Sequence, residues 1–273
     1  MQWLGKSTIP ESDAIFATTW KTAYAVNAAK TKARKFYFVQ DFEPYFYPIG
    51  GLHFLAERTY KFGFYGITAG EWLASKLRTE YSMDAESYDF GVDPGIYSYE
   101  NNKVRKEILF YSRHQTERRG FHVGILALQL FHEKHPEFVI NLVGNDASRF
   151  PIPFPYINHQ LLNLNDLNKL YNKCSAALVL SFTNFSLLPL ELLGAGTIPV
   201  VNNGPNNEMV CNNPYIRYSS ADPEKLADAL EEIVMRENST SYAEKASESV
   251  KNVTWNVSGR EFVEIFNRRM NCE

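Results

Sequence analysis

Cysteine is scarce in this chain. Cys174, Cys211 and Cys272 are the only three in 273 residues, too few and too scattered for a disulfide framework or a zinc site. They fit a reducing compartment. No uninterrupted apolar run approaches the length of a membrane span. Residues 1–6 lack the charged region and apolar stretch of a signal peptide. The sequons at Asn184, Asn238, Asn252 and Asn256 are therefore read as chance matches, and the expected location is the cytoplasm. A basic excess is missing too. Lys and Arg number 28 against 31 Asp and Glu, for a net charge of -3, which leaves no global footprint for nucleic acid. Any anion site must be local, built from a few basic groups and backbone amides. Internal repeats, coiled-coil heptads and low-complexity tracts are absent as well.

What is present is alternation. Short β-rich runs exchange with helical stretches, the pattern of parallel sheets covered by helices. In the first part, strands are predicted at 13–18, 35–40, 63–68 and 87–90, with helices at 21–31, 52–60 and 71–80. The polar segment 94–106 reads as a linker. After it, strands are expected at 107–112, 138–144, 176–181, 198–202 and 216–219. Helices are expected at 121–134, 164–173, 187–194, 224–236, 242–250 and 259–269, with an aromatic and proline-rich stretch at 150–157. The fold class is α/β with two Rossmann-like, doubly wound domains. About four strands in roughly 100 residues, with no Gly-rich strand-to-helix turn at the start, is thin for such a domain. The first domain is thus expected to be incomplete, as if the chain started inside it. The expected division is a partial first domain at 1–104, a second at 105–253, and a terminal helix at 254–273 packing back on the first.

In open parallel sheets, ligands bind outside the carboxyl ends of the strands, where helix N-termini point amides at anions. Three loops of the second domain carry suggestive residues there. The run from Arg113 to Gly120 holds Arg113 and Arg119 just before a helix. Guanidinium groups grip phosphate oxygens in a planar fork, although a solvated basic loop is the plainer alternative. The run LVLSFTNFSLLPLELLGAGTIPVVNNGPNNE, residues 178–208, passes from a buried strand through a polar loop into a helix beginning near Ser186 and bearing Glu191. That carboxylate could bind ribose hydroxyls, or it could merely complement the helix dipole. The third loop, Gly144 and Asn145 followed by Asp146, permits close backbone approach at its glycine.

Together these residues resemble the retaining glycosyltransferases of family 4, which have the GT-B fold. Members carry a strand, Gly-Arg, a few residues and Glu-Lys-Gly before a helix; FYSRHQTERRG is similar, with Arg113 and Arg119 at the phosphate-gripping positions and arginine in place of the lysine. Their Glu-Gly-Phe-Gly stretch, ending in Pro-Leu-Glu and Ala-x-Gly-x-Pro-Val-Val, is matched by FTNFSLLPLELLGAGTIPVV. Their closing Gly-Gly and Glu are matched by GPNNE. The likeness runs over 107–234. It implies that Glu191 is the donor-ribose ligand. It also implies donor contacts from Thr183, Phe185, Ser186, Leu187, Gly144 and Asn145. The family usually has a second Glu eight positions before the first, contacting the donor sugar; Thr183 stands there, which points at donor choice.

A narrower likeness lies in the first domain. ATTWKTAYAV and YFVQDFEPYFYPIG look like rhamnosyltransferases of bacterial surface polysaccharide synthesis, whose donor is dTDP-L-rhamnose. Gln40 and Asp41 stand where many relatives have His-Asp facing the sugar. Thr19, Trp20 and Tyr24 are expected on the acceptor side, with core packing the alternative for Trp20. The resemblance implies transfer of a sugar, L-rhamnose by this likeness, from a nucleoside diphosphate to a glycan or lipid-linked glycan acceptor, with retention. It implies no metal and no other cofactor. Nucleic acid is excluded as a partner, and a peripheral contact with the cytoplasmic face of a membrane stays open. Two other readings remain: a GT-B epimerase or hydrolase of nucleotide sugars, and a non-catalytic sugar-nucleotide-binding fragment.

Overall fold

The computed structural model describes residues 9–271. The opening residues, read above for a signal peptide, and Cys272 lie outside that range. Two compact units emerge: Met1–Phe90 with Asn256–Glu273, and Gly91–Trp255.

The first unit holds β1 (Ala14–Ala17), α1 (Trp20–Ala28), β2 (Arg34–Val39), α2 (Gly51–Arg58), β3 (Tyr65–Ala69), α3 (Glu71–Tyr81) and β4 (Ala85–Tyr88). The strands form a parallel sheet in the order β1-β2-β3-β4. Side chains alternate across a strand, and β2 shows what that does here. Tyr37 and Val39 join one core with Ala23 and Val26 of α1 and Leu73, Ala74 and Leu77 of α3. Phe36 and Phe38 face the other way. Thr19 caps α1, its hydroxyl accepting from Thr22 N at 3.3 Å in a reciprocal capping box, the standard way to satisfy amides that a helix start leaves bare.

The second unit begins with β5 (Glu107–Ser112), α4 (Phe121–Lys134), β6 (Val139–Gly144) and β7 (Ile157–Gln160). It continues with α5 (Leu164–Tyr171), β8 (Cys174–Val179), α6 (Leu188–Gly194), β9 (Ile198–Asn202), α7 (Pro205–Glu208), β10 (Arg217–Ser219), α8 (Pro223–Val234) and α9 (Ser239–Ser249). All pairs are parallel, in the order β10-β9-β8-β5-β6-β7. Chain order thus runs outward from β5 to one edge and then from β8 to the other, the doubly wound arrangement of dinucleotide-binding domains. Its topological switch point lies between β5 and β8. The central strands are apolar and almost wholly buried, as strands covered on both faces must be.

A final helix, α10 (Trp255–Asn271), belongs to the first unit from Asn256 onward. Its Phe262, Ile265, Phe266 and Met270 cover Phe16, Phe36, Phe38, Tyr65 and Tyr88, the sheet face that α1 and α3 leave open.

Two expectations need correction. The segment 94–106 is no free linker, and the unit boundary falls at Phe90, not at 104. Buried Asn168 and Asn172 of α5 and its C-terminal cap hold this segment: Asn172 Oδ1 accepts from Glu100 N at 2.7 Å and its Nδ2 donates to Ser98 O at 2.8 Å. Such polar locks leave no mark in hydrophobic periodicity. The second correction is β7, which follows the proline-rich stretch unannounced. It pairs only with β6, and an edge strand tolerates the polar sequence Ile-Asn-His-Gln because one side of its backbone faces away from the sheet.

Candidate functional site

The switch point of the second unit gathers the loops that follow β5, β6, β8 and β9. Ser181 joins three of them. Its hydroxyl accepts from Arg119 Nη1 at 2.8 Å and donates to Asn184 O. Its backbone exchanges bonds with the Asn202 side chain at 2.7 and 2.9 Å. Asn206 and Asn207 also donate to its carbonyl, at 3.0 and 3.1 Å. The close approach is possible because Gly120, at φ +60, has no Cβ; one would sit 2.8 Å from Phe182 and 2.9 Å from Leu180.

Arg113 leaves the end of β5 exposed to solvent, its guanidinium 5.6 Å from the centre of the Tyr111 ring. It forms no ion pair with a described carboxylate. Burial, and after it the nearby Glu191 carboxylate, raises the phenol pKa values of Tyr97 and Tyr171. Those two hydroxyls face the Glu191 carboxylate. Tyr97 and Tyr171 stack with ring centres 5.9 Å apart beside Glu191. Burial raises the Glu191 pKa above the ordinary carboxylate value, and the facing tyrosine hydroxyls partly offset the rise.

Gly144 closes β6 at φ +121, where a Cβ would stand 2.7 Å from Ser112 O. The next amide, Asn145 N, donates to that same carbonyl at 2.7 Å. Two buried polar atoms in this region, Ser112 Oγ and Asn207 Oδ1, have no hydrogen-bond partner among the described residues. Native structures rarely leave such atoms unsatisfied.

Two of the other expected donor contacts are buried. Thr183 and Phe185 are 1% and 4% exposed, because the short loop folds inward under Ser181. Leu187 is exposed, and Ser186 Oγ accepts from Leu188 N at 3.3 Å, so the first amide of α6 is already engaged. Glu208, closing the GPNNE turn, accepts from Gly204 N at 2.9 Å.

In the first unit, Gln40 and Asp41 follow β2 directly. Gln40 is exposed, and Asp41 Oδ1 accepts from Phe42 N at 2.8 Å. Thr19 is the helix cap described above. Trp20, expected to face an acceptor, is 2% exposed and its indole donates to Tyr47 Oη at 3.1 Å; it is a core residue. Tyr24 donates to Leu55 O at 3.1 Å. Glu43 is not among the expected site residues. Its carboxylate accepts from Trp20 N and, at 2.9 Å, from Tyr37 Oη, and burial raises its pKa. It ties the start of α1 to the loop after β2. Also passed over were Ser181, Tyr97 and Tyr171. Their partners lie far off in sequence, and only the doubling-back of the chain brings them together.

Among the described residues no helix is long and apolar enough to cross a membrane. Comparison with known proteins gives a consistent picture. The family model described as WsaF, C-terminal domain, matches residues 106–231. The O-antigen biosynthesis protein RfbC of Myxococcus xanthus is 32% identical over 206 residues, 73% of this chain and 16% of that protein. The chain thus spans about a sixth of that relative's length. Among solved structures, sucrose-phosphate synthase from Thermosynechococcus elongatus is similar with a TM-score of 0.75 at 12% identity, over 94% of this chain and 73% of that one. HepE of Anabaena in complex with UDP gives a TM-score of 0.74 at 14% identity, over 94% and 79%. With its parallel sheets and these structural neighbours, the chain has the GT-B fold of glycosyltransferases.

Proposed function

We propose that this chain carries the nucleotide-sugar-binding unit of a glycosyltransferase of surface-polysaccharide synthesis, together with part of the acceptor-side unit. The reaction is transfer of a sugar, L-rhamnose in our reading, from a nucleoside diphosphate to a glycan hydroxyl with retention. One observation carries this: an ion-pair-free Arg113 and the Ser181-anchored Arg119 lie in the loop after β5, and the tyrosine-lined Glu191 lies in α6, the helix that follows β8 across the switch point. A departing diphosphate gains charge in the transition state, and fixed positive groups aimed at that charge are commonly the largest catalytic term. Arg113 and Arg119 supply it in our reading. Glu191 accepts from the ribose hydroxyls.

Further support comes from relatives. The solved HepE structure holds UDP, and RfbC is named for O-antigen biosynthesis. For the donor sugar, the position usually held by a sugar-contacting Glu is here the buried Thr183, which suits a deoxysugar that offers fewer hydroxyls.

Calorimetry with UDP, dTDP and dTDP-L-rhamnose tests the binding step. A nucleoside diphosphate should bind, and Arg113→Ala should weaken it at least tenfold, about 1.4 kcal/mol. Equal binding by wild type and variant removes the diphosphate role. Release of free sugar without an acceptor would instead identify a hydrolase.

A further inference from the structure

At the opposite, amino-terminal end of the second unit's sheet, three basic side chains gather without a carboxylate. Lys103, Arg105 and Arg236 line a small open recess of about 20 Å³, together with Ser239, Thr240 and Tyr242. Arg105 is only 7% exposed. Its guanidinium donates to neutral acceptors, Cys174 O at 3.2 Å and Asn101 O at 3.0 Å. Burial holds its pKa below the usual arginine value. Arg236 stacks 4.1 Å over the Tyr242 ring, which fixes its plane. Its Nε is buried and has no hydrogen-bond partner among the described residues.

None of the three cations pairs with a described Asp or Glu. Elsewhere in this unit exposed cations do find partners: Lys134 pairs with Asp228 and Glu231, and Arg217 with Glu232. The recess also borders the first turn of α9, which has no acidic residue and no side-chain cap. Its bare amides and positive dipole end add to the same sign of potential. The Ser239 and Thr240 hydroxyls bond to no other described residue. Crowding like charges into a partly desolvated recess is unfavourable unless a counter-charge enters.

We infer that this recess is a second anion site, which takes a phosphate or phosphomonoester dianion on Arg236, Lys103 and the hydroxyls of Ser239 and Thr240. Arg105 supplies charge from beneath and anchors the floor to the start of β8. β8 has six residues, so the recess lies roughly 20 Å from the loops at the strand's other end. A phosphate bound here is a different ligand site from the proposed donor site, and the inference stands whether or not that proposal does.

The test is calorimetry of the whole chain with inorganic phosphate and with glucose 6-phosphate, each with and without UDP. Binding should survive UDP. With UDP present it should weaken at least tenfold in both R236Q and K103E. Tighter binding of the ester than of inorganic phosphate identifies an esterified ligand; equal binding identifies the free ion. Two results overturn the inference: no heat at millimolar ligand with UDP present, or full binding in a folded K103E protein. K103E alters an exposed side chain, so the test holds even if R236Q fails to fold.

Discussion

Arg119 donates to Ser181 Oγ at 2.8 Å and so fastens the loop leaving β5 to the loop leaving β8. These are the two strands on either side of the switch point, and one hydroxyl holds their ends together. Ser181→Ala removes that bond and the one to Asn184 O, while the backbone links to Asn202 survive. The expected cost is about 1–3 kcal/mol of stability, read by urea unfolding. Nucleoside diphosphate affinity should fall with it. An alanine variant as stable and as tightly binding as wild type would remove Ser181 from this role.

Arg113 should behave in the opposite way. It is exposed and lies over the Tyr111 ring, so its replacement by alanine should leave stability within about 0.5 kcal/mol. In the proposed transferase, turnover should fall at least tenfold, about 1.4 kcal/mol. A clean separation of stability from turnover distinguishes a ligand-gripping arginine from a structural one.

Glu191 predicts a pH dependence. Burial raises its folded pKa above the ordinary value of 4.5, so between the two values the folded state holds more protons than the unfolded state. Its contribution to stability is therefore full below the unfolded pKa and declines as pH rises through the folded one. Glu191→Gln cannot ionise, and its stability should gain relative to wild type as pH rises from the unfolded pKa to neutrality. Denaturant titrations at several pH values check the sign. The same variant should bind UDP more weakly in our reading, since the amide is a poorer acceptor for ribose hydroxyls.

Gly144→Ala should be costly for two reasons. An L side chain is strained at φ +121, and the added Cβ would meet Ser112 O at 2.7 Å. About 1–3 kcal/mol is the expected loss, with the register between the ends of β5 and β6 disturbed. Thermal unfolding measures the first effect, and amide exchange at Asn145, whose N–H bonds Ser112 O, measures the second.

Ile265 reports on α10. It is 4% exposed against Phe36 and Ile67, and Ile265→Ala should cost about 2–4 kcal/mol. The loss should appear in the unfolding of the first unit alone if the two units melt separately in calorimetry.

Much of the second unit was legible because buried parallel strands are short apolar runs and their helices carry the complementary period. EILFYS, the VINLVG run and IPVV announce themselves in this way. Glu191 and the two arginines could be picked out because chemistry concentrates at strand ends. The edge strand β7 could not, since Ile157–Gln160 lacks an apolar face. Thr183 and Phe185 could not be known to be buried, because a polar loop folded under Ser181 has the same composition as one facing solvent. Trp20 had two readings, and only Tyr47, distant along the chain, decides between them.

The helix α10 follows the second unit in sequence yet belongs to the first, and this affects the order of folding during synthesis. Gly91–Trp255 is contiguous and can fold as soon as it clears the ribosome. The earlier-made sheet must wait, with Phe16, Phe36, Phe38 and Tyr88 unprotected on one face, until the helix that shields them has been translated. That interval is when a nascent chain of this kind is most exposed to chaperones and to aggregation.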